Sequence, residues 1–211
     1  QASSVIDECI RSNNPMLFET VREFCKDKIC ILNRQPTLHR MSILAFKLDI
    51  HLGNTIQLAP MVCPAYNADF DGDCMAIYIP VTDISFKDTH KKLGIWNNLL
   101  SPTDATIVPR PNQDIILGIY SATKDSNGKL YDYKGEKLTI GRKKVNECLP
   151  ENYNVVNKPI GKSEIIKILN EIALNYDSNT TMKTLDNIKH LGFELSTQHG
   201  YTLSIDDLYN N

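Results

Sequence analysis

Apolar positions change their spacing twice along the chain. Over residues 15–26, Met16, Leu17, Phe18, Val21, Phe24 and Cys25 recur at helical spacing. Asn14 suits an N-cap and Pro15 a first turn, so the pattern predicts an amphipathic helix whose apolar stripe packs into a core. From about residue 29 the runs shorten. Ile29, Cys30, Ile31 and Leu32 stop at Asn33, residues 55–63 alternate loosely after a Gly53-Asn54 turn, and residues 75–79 end at Pro80. Short strands with turn residues between them predict a small barrel rather than a helical bundle.

Beyond Pro80 comes a polar stretch, then residues 94–100, a Ser101-Pro102 loop and an apolar element over residues 114–120. Residues 124–137 contain Asp125-Ser126-Asn127-Gly128, a strong turn between polar flanks, which predicts a surface hairpin or insertion. The last third reads as helix. Ser163 is the expected cap of a helix with Ile165, Ile166, Ile168, Leu169, Ile172 and Ala173 on one face. A second helix is expected from Thr180 or Thr181, with Met182, Leu185 and Ile188 inward and Gly192 as its stop. Repeats and low-complexity tracts are absent.

Composition narrows the class. The 211 residues are 42% hydrophobic and 23% charged, which predicts a packed core. No apolar run of about 18 residues is present, so no membrane partner is expected. The chain has no initiator Met and no signal-peptide pattern at its start, and it reads as an internal piece of a longer protein. Its six cysteines form no CxxC pair and no zinc-type Cys/His cluster, so reduced thiols are expected. A formal net charge of −2 argues against a free-standing nucleic-acid binder. Residues 28–48, however, contain no acidic side chain and carry Lys28, Arg34, His39, Arg40 and Lys47, a local field suited to polyanions.

The chemistry concentrates in Asn67-Ala68-Asp69-Phe70-Asp71-Gly72-Asp73-Cys74-Met75. Aspartates at i, i+2 and i+4 on an extended segment would share a face and crowd three negative charges. Apolar residues on both sides predict that the triad is half-buried, where a cation must balance it. Hard oxygen donors select Mg²⁺, Mn²⁺ or Ca²⁺, and Gly72 lets the backbone turn so that the carboxylates converge. An EF-hand loop is excluded, because its sixth position, a glycine, is Cys74 here and its twelfth, a glutamate, is Pro80. A solvated acidic turn and a catalytic site for phosphoryl or nucleotidyl transfer remain.

The segment Asn-Ala-Asp-Phe-Asp-Gly-Asp resembles the active-site loop of the largest, β-prime-type subunit of multisubunit DNA-directed RNA polymerases. Where bacterial members continue Gln-Met, this chain has Cys74-Met75. Asn33-Arg34-Gln35-Pro36-Thr37-Leu38-His39 is similar to a second segment of that family, beside the incoming nucleotide. Residues 97–102, 111–118, 191–193 and 200–207 extend the resemblance over nearly the whole chain, with Ser204 where the family usually has Gly.

The resemblance implies a mixed α/β fold: a helical lead-in over residues 1–26, a double-psi β-barrel over 27–82, an α/β pore-like region over 83–190, and the start of a funnel region over 191–211. It implies that Asp69, Asp71 and Asp73 are catalytic and hold Mg²⁺, two ions acting during catalysis and one of them held by the protein. It also implies that Arg34 and Asn67 contact the ribose hydroxyls of the substrate. The implied reaction is template-dependent nucleotidyl transfer from NTPs to the RNA 3′ end. The implied partners are the second large, β-type subunit, the other polymerase subunits, the DNA template and the RNA product. The implied setting is intracellular: a bacterial or phage-infected cytoplasm, or a plastid. An RNA-dependent polymerase of the two-barrel silencing type and a non-catalytic metal-binding module stand as alternatives.

Overall fold

The computed structural model describes residues 7, 15–124, 128–202 and 204–205. The chain divides into two compact units. The first comprises Gln1–Gln57 with Ala68–Asn98, the second Leu58–Asn67 with Leu99–Asn211. The architecture is mixed α/β with small sheets, and no closed barrel is found among the described residues.

In the first unit, helix α1 (Pro15–Cys25) forms where helical spacing predicts it, but none of its residues is buried, and Met16 and Phe24 are 81% and 72% exposed. Periodicity shows that an apolar stripe exists, not that this chain covers it. Asn14, the expected cap, lies outside the described residues. Strand β1 (Ile29–Asn33) is the centre of an antiparallel sheet, flanked by β2 (Ile43–Lys47) and β3 (Ala76–Tyr78). The register pairs Leu32 with Leu44 on one side and with Ile77 on the other. Ile29, Cys30, Leu32, Met41, Leu44 and Ala45 are buried.

Helix α2 (Asp83–Lys92) opens with a reciprocal capping box between Thr82 and Ser85. The chain leaving it adds to the free edge of β2, where the Ala45 N–H donates to the Leu93 carbonyl at 2.8 Å and Ala45 bridges Gly94 in parallel. The strand expected over residues 55–63 does not form. Pro60–Val62 is a 3-10 turn and Cys63–Tyr66 a single helical turn. Pro60 and Pro64 cannot donate to a ladder, and each sits at the start of its turn, where a donor is not needed.

The second unit is built on helices α3 (Gln113–Lys124), α4 (Ile140–Cys148), α5 (Lys162–Asn175) and α6 (Ser178–His199). Their core includes Ile115, Ile119, Val145, Ile160, Ile165, Ile168, Leu169, Ile172, Leu185 and Ile188. Three positions differ from expectation. Gly192 does not stop α6; it lies within it, buried against α3, where a Cβ would stand 2.8 Å from the Ile115 Cα. The stop is Gly200, in the left-handed conformation at φ 57°. Helix α6 begins at Ser178 rather than at Thr180 or Thr181, capped by Asp177, which accepts from the backbone N–H of Asn179 and Thr180. Gly161, not Ser163, precedes α5, and Ser163 falls inside its first turn.

A hairpin, β4 (Leu130–Tyr133) with β5 (Glu136–Thr139), does occupy the expected region. It turns at Lys134-Gly135, both at positive φ. The turn expected at Asp125-Ser126-Asn127-Gly128 lies largely outside the described residues. No described helix is long and apolar enough to cross a membrane, and the five described cysteines are free thiols.

Candidate metal centre

The aspartate loop spans residues 68–75, between Asn67 and β3, in the first unit. It is not a strand. Gly72 adopts φ 123°, a conformation that a side chain would strain, and the backbone bends over residues 70–72. The Asp69 backbone N–H donates to Asp73 Oδ2 at 3.1 Å, which closes the loop on itself. One carboxylate oxygen from each of Asp69, Asp71 and Asp73 lies within 4.8 Å of the others.

Arg34 completes the cluster from the end of β1, one residue beyond Asn33. Its Nε donates to Asp73 Oδ2 at 3.0 Å and its Nη2 to Asp73 Oδ1 at 3.1 Å, a fork-on-fork pair. The sheet brings these groups together because β3, which follows the loop, pairs with β1, which delivers Arg34: Asn33 sits opposite Ala76.

Electrostatics separate the three acids. Arg34 hydrogen bonding, helped by the Asp69 N–H, holds the Asp73 carboxyl below its ordinary range. Asp69 is pushed up, first by a side-chain hydrogen bond shared with Asp71, then by desolvation and by the charges of Asp71 and Asp73. The Arg34 guanidinium is raised in turn by its bond to Asp73.

The triad is exposed in this chain rather than half-buried, because the flanking Phe70, Ile77, Tyr78 and Ile79 are themselves exposed. The case for a cation therefore rests on convergence and donor type. Three carboxylates within reach of one point form a hard, all-oxygen donor set, which suits Mg²⁺, Mn²⁺ or Ca²⁺ better than zinc. Cys74 does not add sulfur to the set; its thiol points to the Gly72 carbonyl at 3.8 Å. Asn67, the other expected substrate contact, ends the Cys63–Tyr66 turn in the left-handed conformation, φ 48°. The Arg34–Asp73 pair was not legible in the sequence, since nothing local marks partners 39 residues apart.

Two family models match the chain: RNA polymerase Rpb1, domain 2, over residues 3–91, and RNA polymerase Rpb1, domain 3, over residues 132–208. Together they define a segment of a polymerase largest subunit. Among named relatives, the DNA-directed RNA polymerase subunit beta' of Hydrogenobaculum sp. (strain Y04AAS1) is 33% identical over 94% of this chain and 15% of its own length. The beta' subunit of Sulfurihydrogenibium sp. (strain YO3AOP1) is 34% identical over 92% of this chain and 14% of its own length. That of Borrelia hermsii (strain HS1 / DAH) is 36% identical over 87% of this chain and 16% of its own length. The chain belongs to the β-prime, or Rpb1-type, family of RNA polymerase largest subunits, and it spans about one sixth or less of the relatives named here.

Proposed function

We propose that this chain is the part of a DNA-directed RNA polymerase that holds the catalytic magnesium. The reaction is template-dependent nucleotidyl transfer: an RNA 3′-hydroxyl attacks the α-phosphorus of an incoming NTP, and pyrophosphate leaves. Asp69, Asp71 and Asp73 would hold one Mg²⁺, and a second would be bound through the phosphates of the nucleotide. Bound there, magnesium supplies Lewis acidity, which lowers the pKa of the attacking hydroxyl and offsets charge on the leaving phosphates. The observation that carries this reading is the convergence of three carboxylates within 4.8 Å in a loop of this family's sequence.

The chain's own groups have separate tasks. Asp73, kept ionised by Arg34, offers a ready anionic ligand. Asp69, which keeps its proton more readily, would have to be ionised to serve as a ligand. Arg34 has five donors, enough to orient Asp73 and also to reach a ribose hydroxyl. Asn67 supplies a second contact to the sugar, so that the 2′-hydroxyl distinguishes NTP from dNTP.

Residues 27–82 belong, in this reading, to a double-psi β-barrel, with residues 1–26 as lead-in, 83–190 as a pore-like region and 191–211 as the start of a funnel. The three antiparallel strands β2-β1-β3, all within residues 29–78, are the part of that barrel that the described residues contribute. A β-type subunit, the other polymerase subunits, template DNA and product RNA complete the machine. The formal charge of −2 fits a part that shares its polyanion-gripping surface with such partners.

Primer extension by the assembled complex on DNA and on RNA templates tests the proposal. Synthesis on DNA is the expected result. Synthesis on RNA alone would point to a silencing-type polymerase, and no templated synthesis on either would leave a non-catalytic module.

A further inference from the structure

Arg34 stands on a loop that neither a ladder nor burial holds. Residues 34–39 lie outside helix and strand, between β1 and a 3-10 turn at Arg40–Ser42, and residues 35–39 are all exposed. Both ends of the loop are fixed. Asn33, before it, is paired on either side, with Ile43 and with Ala76. Met41 and Ser42, after it, are buried. Between these anchors, local hydrogen bonds decide where the backbone runs.

One such bond returns to Asn33. The Thr37 hydroxyl donates to Asn33 Oδ1 at 2.7 Å, four residues back, so that Arg34 lies inside the ring which the bond closes. The effect reaches the far end of the Arg34 side chain. An arginine stem is long and rotatable, and ordering it costs entropy. Its Nε and Nη2 nonetheless meet both oxygens of Asp73, at 3.0 and 3.1 Å. A planar fork of that kind tolerates little movement of its base, because both bonds weaken together as the plane tilts. Asp73 fixes the guanidinium at its tip, and the Thr37–Asn33 bond fixes the backbone from which it reaches.

We propose that Thr37 is a positioning residue for Arg34 and, through it, for the choice of sugar, an inference that rests on the ribose contact given to Arg34 above. Thr37 touches neither substrate nor metal. Its hydroxyl holds the loop so that the guanidinium, engaged with Asp73, presents its other donors at one place. Selection for a 2′-hydroxyl needs that fixed place, since a donor that moves with its loop serves NTP and dNTP more nearly alike.

Two readouts test this in Thr37→Val, which keeps the branched shape and removes the hydroxyl, and in Thr37→Ser, which keeps the hydroxyl. The site is exposed, so neither change disturbs a core. The first readout is the ratio of NTP to dNTP incorporation efficiency in the assembled enzyme, with Arg34→Ala alongside. Thr37→Val should lower the ratio by about threefold, the scale of one net hydrogen bond, and Thr37→Ser should recover most of the loss. A change that only loosened the fold would lower both efficiencies and leave the ratio alone. The second readout is solvent exchange of the Arg34 Nε–H, followed by NMR in the full chain without added divalent metal. Exchange should be about threefold faster in Thr37→Val, as the bond to Asp73 opens more often, and near the parent rate in Thr37→Ser.

A ratio unmoved in Thr37→Val but lowered in Arg34→Ala would overturn the inference and leave the ribose contact standing. So would equal losses in Thr37→Val and Thr37→Ser, since the hydroxyl would then be idle. A ratio unmoved in Arg34→Ala would remove the ribose contact instead; Nε–H exchange alone then decides whether Thr37 positions Arg34. Unchanged exchange in Thr37→Val overturns the inference whatever the ratios show.

Discussion

Arg34 grips Asp73 with two parallel hydrogen bonds, of 3.0 and 3.1 Å, across 39 residues of chain. The strand pair β1–β3 sets that distance, because Asn33 and Ala76 are opposed in its register. One guanidinium thus fixes the orientation of one of three converging carboxylates and keeps it ionised.

Removing the guanidinium should therefore show twice. In Arg34→Ala the Asp73 carboxyl should titrate at higher pH than in the parent, read from its carboxyl carbon by NMR. In the assembled enzyme, Arg34→Ala and Asn67→Ala should each weaken discrimination between NTP and dNTP, by about tenfold for the charged Arg34 donor and by a few-fold for the neutral Asn67 amide. An unchanged incorporation ratio in both variants would reject the ribose contacts, and an unmoved Asp73 titration would reject the pairing.

Cys74 stands next to Asp73, a proposed ligand, and is exposed, so a metal-binding role is easily tested. Its thiol faces the Gly72 carbonyl, and a soft donor does not suit a hard tri-carboxylate site. Cys74→Gln should retain Mn²⁺ affinity within about twofold, as expected for a residue outside the ligand set. A clear loss of affinity, with Mn²⁺ bound through sulfur in the parent, would contradict this.

The packing of α6 on α3 gives a stability prediction. Gly192→Ala gains helix propensity of up to ~1 kcal/mol. It also drives a methyl to within 2.8 Å of the Ile115 backbone, and overpacking of this kind costs roughly 1–3 kcal/mol. The clash should win, because a backbone atom cannot step aside as a side-chain tip can. Chemical denaturation should show a net loss, and a neutral or stabilising result would mean that the helices separate freely at this crossing.

The cap of α6 gives a pH prediction. Hydrogen bonds from Thr180, by its side chain and then its backbone, hold the Asp177 carboxyl below its usual range. A depressed carboxylate contributes stability that is present above its unfolded pKa of about 3.9 and is lost as pH falls through the lower folded value. Asp177→Asn keeps an acceptor but does not titrate. Its melting temperature should fall less steeply than the parent's below about pH 4; parallel acid limbs would remove Asp177 from the account.

Periodicity made β1, β3 and the buried faces of α5 and α6 legible, since Leu32, Ile168, Leu169 and Ile188 recur at the spacing their elements require. It failed where one residue type serves two purposes. Gly192 reads as a stop, yet it is the contact that lets two helices touch. Residues 55–63 alternate like a strand, but Pro60 and Pro64 divert them into turns. The stripe on α1 was legible and its exposure was not, because exposure depends on what lies opposite. Likewise the spacing of Asp69, Asp71 and Asp73 marks a candidate metal site in the sequence, whereas Arg34 reaches Asp73 only through the pairing of distant strands.

The most direct measurement is single-nucleotide addition by the assembled enzyme carrying Asp71→Asn. The change removes one ligand charge without adding bulk, at a side chain that is exposed and so is not needed for packing. The account predicts normal assembly and a loss of addition of at least about a hundredfold, the scale on which removal of a transition-state electrostatic group is felt. Near-normal addition by the assembled variant would contradict the claim that these three carboxylates hold the catalytic metal.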